Sequence, residues 1–127
     1  MTKEVMLIDD DLEDHQLFAE RLAEYNESIK VIPAYDGPEA LKILEKASPD
    51  YIFLDMNMPK MNGLEVLEKL KEHETLKSIP VYIYSTSDGY ITGRPAIKLG
   101  AVQYFQKPEN SEGLKIIFTS VFENNSK

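Results

Sequence analysis

Asp50-Tyr51-Ile52-Phe53-Leu54-Asp55-Met56-Asn57-Met58-Pro59-Lys60-Met61-Asn62-Gly63 is the stretch on which the fold of this chain turns. Its apolar run, Tyr51 to Leu54, is bounded by an aspartate on each side. Two aromatic residues and one β-branched residue among four suit a short strand buried on both faces, as in a parallel sheet. The run stops at Asp55, and Pro59, Asn62 and Gly63 mark a loop. A carboxylate therefore stands where a buried strand ends. In open α/β sheets that end of the strands is where ligands bind.

Working outward, Val5 to Ile8 is a second apolar run, and it ends in Asp9-Asp10-Asp11. Phe18, Leu22 and Tyr25 then recur at helical spacing. Ile29 to Ala34 reads as a strand, and Asp36-Gly37-Pro38 as a turn with Pro38 in the first turn of a helix. Ala40, Leu41 and Leu44 give that helix its inner stripe, and Ser48-Pro49 ends it. Beyond the central strand, Leu64, Val66, Leu67 and Leu70 supply a third helix. Val81 to Tyr84 is a fourth strand that runs into Ser85-Thr86-Ser87. Val102 to Gln106 is a fifth, stopping at Lys107-Pro108. Leu114, Ile117, Phe118, Val121 and Phe122 make the last helix, and the tail 124–127 is expected to fray. From Ser87 to Pro95 the fourth helix is expected to be short or irregular at its N-terminal end, because Gly89, Gly93 and Pro95 interrupt it; Pro95 fits best as its first residue. Strands alternating with helices indicate βαβ units and a parallel sheet covered on both sides.

Composition narrows the function. The chain has 127 residues, enough for one domain with a sizeable core. Its net charge of −8 argues against nucleic acid and against an anionic membrane surface. No apolar run approaches the ~20 residues that span a bilayer. The N-terminus leads straight into a strand, without room for a signal peptide. There is no cysteine, so neither disulfides nor thiolate chemistry enter. A cytoplasmic location is the expectation.

The strand ends carry the chemistry. The first strand delivers Asp9 and Asp10, the third Asp55, the fourth Ser85 and Thr86, and the fifth Lys107. In a parallel sheet these share one rim. Two like charges ~4 Å apart repel by about 1 kcal/mol in water and about 4 kcal/mol at an effective dielectric near 20. Three carboxylates need more counter-charge than one lysine supplies, and a hard divalent cation such as Mg²⁺ is the natural remedy. A metal there would also bring in a phosphoryl group. Asp55 could attack it to form an acyl phosphate, with Ser85 or Thr86 and Lys107 binding its oxygens. Taken singly, the features have plainer readings. Asp9-Asp10-Asp11 could cap a helix, Ser85-Thr86-Ser87 could be a turn, and Tyr104 could be core. His15 and His73 read as solvated helix residues away from the rim. The conjunction on one edge decides for the functional reading.

On Ile8-Asp9-Asp10-Asp11, on Leu54 to Gly63, on Ser85-Thr86, and on Gly100-Ala101 leading to Lys107-Pro108, the chain resembles a response-regulator receiver domain of two-component signalling, of the stand-alone, chemotaxis-regulator-like kind. The resemblance spans nearly the whole chain. It implies a flavodoxin-like, doubly wound (βα)5 three-layer sandwich with parallel sheet order 2-1-3-4-5. It implies one receiver domain over 1–127 with no output domain, acting through a separate effector. It implies that a histidine kinase or histidine phosphotransfer protein donates phosphate to Asp55. Asp10 and Asp55 match side-chain Mg²⁺ ligands, Asn57 a main-chain carbonyl ligand, and Asp9 the acid that holds metal-bound water. Ser85 matches the hydroxyl that swings onto the phosphoryl group, Lys107 the lysine that contacts it, with a cis peptide following, and Tyr104 the switch aromatic. The family often has Asp where Asn62 stands, and Gly93-Arg94-Pro95 is atypical for its fourth helix. A haloacid-dehalogenase-type phosphatase is an alternative, but Asn57 cannot serve as its general acid. A phosphorylation-independent interaction module is another. Flavin binding is disfavoured, because the first strand ends in aspartates instead of a phosphate loop.

Overall fold

The computed structural model describes residues 3–86 and 89–124. The elements alternate: β1 (Lys3–Ile8), α1 (Leu12–Tyr25), β2 (Ile29–Ala34), α2 (Gly37–Ile43), β3 (Tyr51–Leu54), α3 (Gly63–Glu72), β4 (Val81–Ser85), α4 (Gly89–Lys98), β5 (Gln103–Gln106) and α5 (Ser111–Asn124). The strands form one parallel sheet in the order β2-β1-β3-β4-β5. This is the doubly wound architecture expected from the sequence.

Strand alternation sorts the core into two layers. Met6, Ile8, Ile52, Leu54, Val81 and Ile83 face one way, onto α2, α3 and α4, where Ala40, Val66, Leu67, Leu70 and Ala96 complete a largely aliphatic core. Val5, Leu7, Phe53, Tyr82 and Tyr84 face the other way, onto Phe18 and Leu22 of α1 and Phe118 of α5. That second layer is built of rings. Phe18 meets Phe53, Tyr84 and Phe118 edge-on, with centroids 5.2, 5.8 and 5.2 Å apart, in the arrangement that matches ring edges to ring faces. Both faces of β3 are closed, which is why its four residues are continuously apolar.

Local signals start the helices. The Asp11 side chain accepts from the N–H groups of Glu13 and Asp14 to cap α1, and Asp36 caps α2 through the Glu39 N–H, with Pro38 in its first turn. Asn62 and Glu65 form a reciprocal capping box at α3. Gly100, at φ +111, closes the turn after α4 in a conformation that favours glycine. In the loop before α3, Lys60 adopts φ +70, an uncommon place for a residue with a side chain.

Three expectations need correction. The fourth helix is not short: α4 begins at Gly89 and carries Pro95 inside it. Pro95 lies on the exposed side, while Gly93 and Ala96 are buried. Gly93 is needed as a close-packing position, because a Cβ there would come within 2.9 Å of the Tyr104 ring. The irregular start expected at Ser87 and Asp88 lies outside the described residues, as does the fraying expected beyond Asn124. The last strand begins at Gln103, and Val102, 51% exposed, stays outside it. The Lys107–Pro108 peptide is trans, as are all described peptide bonds. An X–Pro bond prefers trans unless its surroundings select otherwise, and here Pro108 packs in the space left by Gly113 of α5.

Candidate functional site

The parallel ladder extends one residue past several strands. Asp9 N–H donates to Ala34 O (3.0 Å), Asp55 N–H to Ile8 O (2.9 Å), and Lys107 N–H to Ser85 O (2.8 Å). Side-chain alternation therefore carries on to those positions. Asp9 follows Ile8, Asp55 follows Leu54, and Lys107 comes two residues after Phe105. All three fall on the ring-packed face, beneath the start of α1. The register of the sheet gathers the acids and the lysine that the sequence placed on one rim.

Asp9 is fully buried and Asp55 is 5% exposed, while Asp10 is exposed. One carboxylate oxygen from each lies within 4.8 Å of the others. The Lys107 ammonium enters from β5, 2.8 Å from Asp9 Oδ2, 3.9 Å from Asp55 Oδ2, and 2.6 Å from Asp14 Oδ2 on α1. It also sits 5.6 Å from the centre of the Tyr84 ring. The Ser85 hydroxyl and the Asn57 backbone N–H both donate to the Asp55 carboxylate. An open cleft of about 570 Å³ leads to this cluster, lined also by Asp11, Glu13 and Thr86.

The electrostatics follow from burial. Asp55 is pushed up from 3.8 to about 6, first because its charge is taken out of water and then because the Asp9 charge is close; Lys107, the Ser85 hydroxyl and the Asn57 N–H oppose the rise. Asp9 is raised as well, again chiefly by burial, against its contacts with Lys107 and the Asp11 N–H. Burial alone would lower the Lys107 pKa. The hydrogen bond to Asp14, the contact with Asp9 and the Asp55 charge together outweigh it and drive it upward, so the ammonium stays charged. Even so, Lys107 alone faces three carboxylates, Asp9, Asp14 and Asp55, among the described residues, and Asp10 lies beside them. Asp9 Oδ2 is buried without a well-directed hydrogen bond, although the ammonium charge is near. Carboxylate oxygens crowded together, one of them with a spare lone pair, are the donor set of a hard divalent cation. The residues fit Mg²⁺.

The residues expected at the strand ends, Asp9, Asp10, Asp55, Ser85, Thr86 and Lys107, come together around the cleft, and Asn57, expected from the resemblance, joins them. Tyr104 stands apart, packed against Gly93 of α4. Sequence reasoning missed two residues. Asp14, the nearest partner of Lys107, reads as one more acid in a helix's first turn; its place three residues after the cap Asp11 is the only signal. His15 was expected in solvent. It is 7% exposed, its Nε2 lies 2.7 Å from the Asp9 carbonyl oxygen, and its ring lies 4.4 Å from that of Tyr35. The ring packed against it, Tyr35, comes from just past β2, too distant in sequence for helical spacing to reveal. His73 is exposed, as expected.

The family model described as "Response regulator receiver domain" matches residues 5–119. The chain belongs to this family. It is 31% identical to the phosphorylated cyanobacterial phytochrome response regulator RcpA, with a TM-score of 0.90 over 99% of this chain and 98% of that one. The Mn(2+)-bound form of response regulator Rcp1 is 27% identical, with a TM-score of 0.84 over 98% of this receiver domain and 97% of that chain. A curated relative, protein-glutamate methylesterase/protein-glutamine glutaminase 2 of Carboxydothermus hydrogenoformans, is 35% identical over 119 residues, which are 91% of this chain and 33% of the relative. The receiver domain thus spans a third or less of the first curated relatives it matches. Among the described residues no helix is long and apolar enough to cross a membrane.

Proposed function

We propose that this receiver domain is a Mg²⁺-dependent phosphoacceptor that takes phosphate from a partner phosphohistidine onto Asp55 and thereby switches a protein-binding surface. The observation that carries the reading is the buried Asp55 carboxylate, held beside Asp9 and Asp10, with a hydroxyl and an ammonium directed at the same place. Asp55 accepts hydrogen bonds from Ser85 and Asn57, which fix its oxygens for in-line attack. An Asp55 oxygen forms the new bond to phosphorus as the phosphorus–nitrogen bond of the donor breaks, and the imidazole leaves with its electron pair.

Asp10 and Asp55 would hold the cation by side chain, Asn57 by its main-chain carbonyl, and Asp9 through water. That response regulator Rcp1 has a Mn(2+)-bound form supports a divalent cation for this chain. A bound cation supplies positive charge opposite the oxygens of the transferring group. Ser85 and Lys107 are the groups that would hold those oxygens afterwards. Tyr104 is the switch residue in this reading. Its ring abuts Gly93 with no room for a Cβ, so a change in its rotamer must be felt by α4. The donor is a histidine kinase or histidine phosphotransfer protein, and the readout is a separate effector protein in the cytoplasm, with the domain itself not an enzyme. Phosphatase turnover lacks support, because the position two residues after Asp55 is Asn57 and cannot give up a proton.

Acetyl phosphate with magnesium should add one phosphoryl group to the wild-type protein, read by intact mass, and none to Asp55→Asn. A wild-type mass that does not change under these conditions refutes the proposal.

A further inference from the structure

Lys107 has three N–H donors and three carboxylates around it. Its shortest contact, 2.6 Å, is to Asp14, and Asp55 at 3.9 Å lies beyond hydrogen-bond reach. The two close partners differ in how readily they release the ammonium. Asp9 has no exposed surface, so a vacated Oδ2 could not be satisfied by solvent. The Asp14 side chain is 26% exposed and sits in the wall of the open cleft, where water can replace the lysine.

We propose that Asp14 is a positioning residue that restrains Lys107, competing with a phosphoryl group on Asp55 for the ammonium. This rests on the phosphoacceptor reading above. In the unphosphorylated protein Asp14 draws Nζ toward α1, while Asp9 anchors it from below. When anionic oxygens are added at Asp55, the ammonium keeps Asp9, gives up Asp14 to water, and turns its free N–H to the new oxygens. Asp14 thus sets how strongly the phosphorylated state is favoured, without touching the phosphoryl group.

Beryllofluoride, a phosphoryl mimic that binds the acceptor aspartate with magnesium, provides the test by titration calorimetry. Removing the competitor in Asp14→Asn should tighten beryllofluoride binding about fivefold, the upper end for a partly exposed ion pair. Glu13→Gln is the control. It removes the same charge from the same cleft wall, at an exposed side chain that, among the described residues, forms no ion pair with Lys107. It should leave the affinity within twofold of wild type, as should Asp14→Glu, which restores the carboxylate. Unchanged or weaker binding by Asp14→Asn overturns the inference, and so does an equal gain from Glu13→Gln, which would reduce the effect to general charge. Failure of the wild-type protein to bind beryllofluoride would instead overturn the phosphoacceptor reading itself.

Discussion

Replacing the Asp55 carboxylate with an amide should make the metal-free protein more stable, and the gain should depend on pH. Asp55 has its pKa raised from 3.8 to about 6 in the folded protein. Ionising it is therefore harder in the fold than in the unfolded chain. For an acid shifted in this direction the loss of stability is absent below pH 4, grows between pH 4 and 6, and is complete above pH 6. A rise of this size corresponds to about 3 kcal/mol. Asp55→Asn removes the charge but keeps an oxygen to accept from Ser85 and Asn57, and Lys107 keeps Asp9 and Asp14. With a chelator present at pH 8, the variant should be about 3 kcal/mol more stable, which for a domain of this size moves the urea midpoint upward by about 1.5 M. The difference should shrink toward zero at pH 4. It should also shrink with saturating magnesium at pH 8, because the cation binds the folded wild type and stabilises it. Far-UV circular dichroism is the suitable signal, since the chain has no tryptophan. A variant less stable than wild type at pH 8, or a gap that does not change with pH, would show that the Asp55 charge is not under the stress described.

Gly63→Ala should destabilise the protein by about 2–4 kcal/mol in urea unfolding, because the added methyl would lie 2.5 Å from the Asp55 carbonyl oxygen and 2.8 Å from Met56 Cα, and neither is a side chain that can turn away. Phe18→Ala should cost about 3–5 kcal/mol by the same assay, since it removes the ring on which Phe53, Tyr84 and Phe118 converge. Asp10→Asn should weaken magnesium binding about tenfold or more in calorimetry while leaving the thermal midpoint nearly unchanged, because Asp10 is an exposed member of the acidic cluster.

The site was legible wherever chemistry coincides with the end of an apolar run. Ile8 before Asp9, Leu54 before Asp55 and Tyr84 before Ser85 each announce a buried strand reaching the rim, and parallel order then forces the residues together. What was hidden depends on contacts across the sheet. Asp14 looks like a helix-dipole acid until β5 is seen to bring Lys107 beneath α1. His15 looks solvated until Tyr35 covers it. Gly93 and Pro95 read as helix breakers because propensity penalises both. In the fold, glycine is the residue that lets α4 approach Tyr104, and proline falls on the outer side, so packing overrides propensity. The left-handed turn at Lys60 had no glycine to signal it.

The outer strand β2 carries Pro33 next to its C-terminal end, opposite Leu7, and both Pro33 and Lys30 are exposed there. Proline offers no N–H, and a solvated lysine resists stacking against its like. The opposite border, β5, has only four residues. Neither margin makes a good template for a ribbon from another molecule, so crowded copies of this signalling protein are guarded against joining end to end into fibres. Any association between copies is thereby steered away from the sheet margins toward side-chain contacts, which can be made reversible.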